Sequence, residues 1–164
     1  MILASHIIVS GLVGSAAKNY FAAAFFGFTS HYILDTLPHW DYSIDDFSPE
    51  SPSGLFKTKN AWRNIAKLAT DVAGGIIVLL ILLNRIYQNN IENIAPVFIG
   101  AVFGVLPDAL QLLYWKTKTP YLKWLSDIHA FTHSIFNKTK KTALPGLAYQ
   151  IITIALVFIA LKFF

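Results

Sequence analysis

Residues 143–161 read ALPGLAYQIITIALVFIAL, nineteen positions without a charged side chain. A helix needs about 20 predominantly apolar residues to cross the hydrocarbon core of a bilayer. The run therefore predicts a membrane span and sets the fold class as all-α. Upstream, 65–83 (IAKLATDVAGGIIVLLILL) has the same character apart from Lys67 and Asp71, and 94–115 (IAPVFIGAVFGVLPDALQLLYW) carries only Asp108. Two further apolar runs, 1–17 and 20–37, flank Lys18 and Asn19. The expectation is an integral membrane helical bundle of one domain, 1–164, with about five inserted helices, the first of them short. The segment 121–137 predicts a further, interfacial helix, too polar to span comfortably.

The whole composition agrees. The 164 residues are 55% hydrophobic and 13% charged, with a mean hydropathy of +0.52, whereas an ordinary soluble domain carries roughly 25% charge. Disordered chains, disulfide scaffolds and nucleic-acid-coating basic proteins are excluded, and the absence of cysteine excludes a thiolate metal site. No signature of specific nucleic-acid recognition is present. A cleavable signal peptide is not expected, because no basic region precedes the first run, which holds His6 and two glycines.

Charge distribution predicts orientation. With the N-terminus, 38–64 and 116–142 on one face, that face carries Lys57, Lys59, Arg63, Lys67, Lys116, Lys118, Lys123, Lys138, Lys140 and Lys141, and the other only Lys18, Arg85 and Lys162. The positive-inside rule makes the first face, with the N-terminus, cytoplasmic. Trp40, Trp62, Trp115 and Trp124 mostly border the spans, as interfacial aromatics do.

Ionisable groups within apolar segments are costly and mark function. Here they are His6, His31, Asp35, His39, Asp41, Asp71, Asp108, His129 and His133, and they include every histidine of the chain. All fall at the end of their segment assigned to the cytoplasmic face, as one convergent site requires. His31 and Asp35 are i,i+4 and share a helix face, as do His129 and His133. Leu37-Pro38 then breaks the helix, letting His39 fold back toward the preceding turn. Imidazole and carboxylate donors without thiolate suit Zn²⁺, Mn²⁺ or Fe²⁺, among which the Irving–Williams order alone does not choose, and so many donors suit two or three ions or one ion with many outer partners. The candidate ligands are His6, His31, Asp35, His39, Asp71, Asp108, His129 and His133, with Asp41 the candidate general base. Ordinary explanations compete: Asp71 pairing with Lys67, Asp108 capping a helix that begins after Pro107, and Asp41 as a solvated turn residue. Asp45, Asp46, Glu50 and Asp127 read as surface groups.

These motifs resemble a known family. AFFGFTSHYILDTLPHWD (24–41) is similar to the Gly-x2-Ser-His-x3-Asp segment of the zinc-dependent phospholipase C family and its membrane relatives, the membrane-bound metal-dependent hydrolases. SHIIVSGLVG with His6, GVLPDAL with Asp108 and FTHSIF with His133 resemble that family's early histidine, Leu-Pro-Asp and Thr-His-Ser segments. Here the last two follow the Ser-His-x3-Asp segment, whereas in the membrane relatives they usually precede it. The resemblance implies an all-α fold with a phospholipase C-like metal cluster between helices.

The function this predicts is metal-dependent hydrolysis of a phosphodiester or phospholipid-type substrate at the cytoplasmic membrane surface, the bilayer itself being a partner. The alternatives are a non-catalytic metal-binding membrane protein and a small ion transporter. Against conduction, 72–83 and 150–161 are almost wholly apolar and offer no polar path.

Overall fold

The computed structural model describes residues 2–41, 61–88, 90, 93–136 and 143–163. Within them the chain forms six helices and no strand: α1 (Leu3–Ser15), α2 (Tyr20–Thr36), α3 (Ala61–Tyr87), α4 (Ala95–Thr117), α5 (Pro120–Phe136) and α6 (Ala143–Phe163). Three, Trp62–Tyr87 of α3, α4 and α6, are long and apolar enough to cross a membrane. The 13 residues of α1 make it about 20 Å long, short of the hydrocarbon core, and the 17 of α2 about 26 Å. Lys57, Lys59, Lys138, Lys140 and Lys141, on which the orientation argument leans, and Asp45, Asp46 and Glu50 lie outside the described residues.

Local chemistry sets the helix ends. Asn19 caps α2, its side chain accepting from the Ala22 amide at 2.8 Å. α2 stops at Thr36 because Leu37, before Pro38, is extended (φ −75°, ψ 152°). α4 starts with proline in its first turn, where no amide hydrogen is missed, and ends at Lys118 in the left-handed region (φ 53°). The alternative of a helix beginning after Pro107 is not what forms. α4 is continuous through Pro107, so Asp108 projects from a helix interior and is no cap.

α1 occupies the middle, packed on α2, α3, α4 and α6, with nine of its thirteen residues buried. Ile7, Ile8 and Leu12 meet Leu79 and Leu83 of α3 and Val97 and Ala101 of α4. Contact with α2 and α4 is closer still. A Cβ on Gly100 would strike the Ser10 carbonyl and the Gly14 Cα, and one on Gly27 would strike the Gly100 backbone. Backbones can approach this closely only through glycine, a common device between membrane helices. Ser10 and Ser30 hydroxyls, 2.7 Å apart, tie α1 to α2 in the same layer.

At one end of the bundle, Tyr87 donates to the Ser15 carbonyl (3.3 Å) and Asn93 to the Tyr20 hydroxyl (3.2 Å). The start of α1, the end of α2 and the middle of α4 meet at the opposite end, with α5 packed on α2 and α4. Outward faces are apolar: Phe21, Phe25, Ile33, Ile77, Val102 and Ile151 are all exposed. Water would penalise such a surface; lipid would not.

Candidate metal centre

α1, α2, α4 and α5, together with the turn after α2, bring five imidazoles and three carboxylates into one cluster. Asp35 is its centre and is wholly buried. His6 Nε2 lies 3.3 Å from Asp35 Oδ1, while His31, His133 and His129 place Nε2 at 3.0, 3.2 and 3.5 Å from Asp35 Oδ2. Asp108 Oδ1 is 3.5 Å from His129 Nε2 and 3.8 Å from His31 Nε2. His39 Nε2 is 3.1 Å from Asp41 Oδ2. The helix break at Pro38 achieves this last placement: His39 turns back until its ring is 5.0 Å from that of His133.

The protonation pattern points to a cation. His31 Nδ1 lies 2.7 Å from the Gly104 carbonyl and His39 Nδ1 2.7 Å from the Leu37 carbonyl, so each Nδ1–H donates. A neutral imidazole has one N–H, which leaves a lone pair on Nε2 of each ring. Yet a carboxylate oxygen faces both of those nitrogens, at 3.0 and 3.1 Å. Lone pair against carboxylate is repulsive unless a proton or a metal ion lies between them. Protonating all five rings would place cations face to face, because His6 stacks on His31 at 4.1 Å and His129 on His133 at 4.8 Å, whereas a proton on His31 and His39 alone would not; the geometry accepts a proton or a metal ion at those two positions. Among the described residues, both nitrogens of buried His6 and Nδ1 of His129 also make no hydrogen bond, a costly state for buried polar atoms that ligation would remove.

Spacing agrees with ligation. Donors at the 2.0–2.1 Å typical of Zn–N and Zn–O bonds, set tetrahedrally, stand about 3.3 Å apart; the histidine–carboxylate separations run from 3.0 to 3.8 Å, and all donors within a group lie within 4.8 Å. Three groups have donor atoms within 4.8 Å of one another: His6, His31 and Asp108; His31, Asp35 and His129; Asp35, His39 and His133. His31 and Asp35 each belong to two, so the groups form a continuous chain. The carbonyls that receive the Nδ1–H bonds do what outer partners of metal-bound histidines do, fixing tautomer and ring orientation.

Exposure differs across the cluster. His6, His31 and Asp35 are closed off, whereas the side chains of Asp108 and His133 are 29% and 30% exposed. Burial pushes the His129 imidazole down to about 3, so its ring is neutral across the physiological range. Asp41, at the edge, is 48% exposed, its Oδ2 3.1 Å from His39 Nε2.

Asp71 belongs to none of these groups. Its carboxylate accepts from the Leu3 amide at 2.8 Å and the Ala4 amide at 3.4 Å. It thus serves as the N-terminal cap of α1, a helix whose preceding residue, Ile2, makes no side-chain cap. Sequence reasoning also passed over Gly104, whose carbonyl orients His31, and Gly146 and Gln150 of α6, which touch the turn bearing His39. A buried glutamine in an otherwise apolar span was the available signal for the last.

No family model, curated protein or solved structure matches the chain.

Proposed function

We propose that this protein is a membrane-embedded metal-dependent hydrolase, related to the zinc-dependent phospholipase C family, acting on a phosphodiester or phospholipid-type substrate. The observation that carries the reading is the convergence of five Nε2 atoms on Asp35, Asp108 and Asp41, with the His31 and His39 tautomers set by Nδ1 donation. In this proposal α1 and α2 are membrane-inserted beside the three longer helices, giving five. The cluster faces the cytoplasm, on the side where basic residues are most numerous.

His6, His31, Asp35, His39, Asp108, His129 and His133 would hold one to three divalent ions, Zn²⁺ first. Such an ion supplies a water acidic enough to react near neutral pH and a positive charge facing the phosphoryl oxygens. Asp35, buried and shared between two groups, holds the cluster together. The exposed edges of Asp108 and His133 leave substrate a way in, unlike a closed structural site. Asp41 is ionised and half-exposed beside His39, placed to take a proton from the attacking water.

Hydrolysis of a chromogenic phosphodiester and of phospholipid vesicles by detergent-purified protein tests this. Turnover lost on chelation, restored by Zn²⁺ and absent in His31→Ala is expected. Asp41→Asn should keep its metal and lose about 10²–10⁴-fold in kcat. Metal bound in full with no turnover on either substrate would leave a non-catalytic metal protein instead.

A further inference from the structure

We propose that α6 is a strap that positions His39, acting through Gln150 and Gly146; the functional consequence rests on the metal-centre reading above. Gln150 is 2% exposed and its Nε2 donates to the Trp40 carbonyl at 2.9 Å, joining residues 110 apart in sequence. One turn earlier on the same face, Gly146 lets the α6 backbone lie directly on the turn. A Cβ there would stand 2.6 Å from Trp40 N and Cβ and 2.9 Å from the His39 carbonyl carbon.

The turn needs such a holder. Residues 37–41 follow the end of α2, where the Leu37 amide still donates to the Leu34 carbonyl at 3.0 Å before the chain leaves the helix, and backbone polar groups near a bilayer must find partners in the protein. The Nδ1 bond of His39 goes only two residues back, to Leu37, so it sets the ring's tautomer without fixing where the turn sits. Gln150 and Gly146 supply that position, one by a hydrogen bond and the other by admitting the backbone. A glutamine in an apolar helix is costly unless bonded; Trp40 satisfies its amide nitrogen, while its buried Oε1 makes no hydrogen bond among the described residues. His39 is therefore held by α6 in the Asp35–His39–His133 group, while the His6–His31–Asp108 group is built without α6.

The test compares the full chain in detergent as wild type, Gln150→Met, Gly146→Ala, His39→Ala and the His39→Ala/Gln150→Met double variant, with Thr153→Ala as an α6 control. Two readouts are used: zinc affinity by competition with a chromophoric chelator, and amide hydrogen exchange over residues 37–41. Gln150→Met and Gly146→Ala should each weaken zinc about tenfold, as loss of an outer partner does, and both should speed exchange in the turn. Thr153→Ala should do neither. Gln150→Met should cost nothing further once His39 is alanine, because its effect runs through His39. Unchanged exchange in Gln150→Met, or an equal zinc loss in the His39→Ala background, overturns the strap and leaves the metal centre standing. Faster exchange in a protein that binds no zinc supports the strap and overturns the metal reading alone.

Discussion

Two carboxylates in apolar helices, Asp35 and Asp71, look alike in sequence and differ in what surrounds them. Asp35 faces four imidazoles, and Asp71 faces two backbone amides at the start of α1. Asp35→Ala is therefore expected to abolish metal binding. Asp71→Ala should keep the metal stoichiometry and lower stability by about 0.5–2 kcal/mol, the usual cost of a lost cap; elemental analysis with thermal denaturation separates the two. The i,i+4 pairing of His31 with Asp35 and the break at Pro38 were legible, because helix geometry and proline sterics act locally. The role of Asp71 was not, since its partners lie 67 and 68 residues away. pH acts at this scale too. His129 is lowered from 6.5 to about 3 by burial, so the metal-free fold keeps the benefit of a neutral His129 above pH 6.5 and loses it as pH falls toward 3. Metal competes with protons for the same lone pairs, so acid should also release it. Both effects are checked by denaturation and metal retention from pH 8 to 4, and no dependence on pH would contradict them.

Among the elements, the α1–α2–α4 layer decides whether His6, His31 and Asp108 meet. Its closeness depends on Gly14, Gly27 and Gly100, where an added Cβ meets backbone that cannot swing aside. Gly100→Ala should cost about 1–3 kcal/mol, as overpacking does, and weaken metal binding along with the fold. Gly74→Ala, where nothing lies within 4 Å, should be neutral or stabilise α3 by up to about 1 kcal/mol. Thermal denaturation of both variants in detergent checks the pair, and similar losses would show that glycine contact is not what sets the spacing. Apolar runs foretold these helices to within a few residues, because bilayer length and hydropathy suffice to place them. Which small residues touch was not legible, as glycines on lipid-facing and packed faces read identically. The neutral Gln150 escaped notice for a related reason: a search for ionisable groups does not register an amide.

At the scale of the whole molecule, the described helices present an apolar exterior around a polar cluster at one end, and the far end is held by Tyr87 and Asn93. The chain has no cysteine, so single-cysteine variants read its orientation directly. With the cluster on the cytoplasmic side, Asp127→Cys should react with an impermeant thiol reagent only in inside-out vesicles, and Lys18→Cys only in right-side-out ones. The reverse pattern would contradict the positive-inside assignment. The central claim is that the cluster is a metal centre, and metal content by elemental analysis of detergent-purified protein tests it most directly. Zinc, manganese or iron at one to three equivalents is expected in the wild type, with the amount collapsing in His31→Ala and Asp35→Ala. A wild type with no transition metal, even after reconstitution, would contradict it and leave the buried imidazoles and carboxylates as proton-sharing contacts between helices.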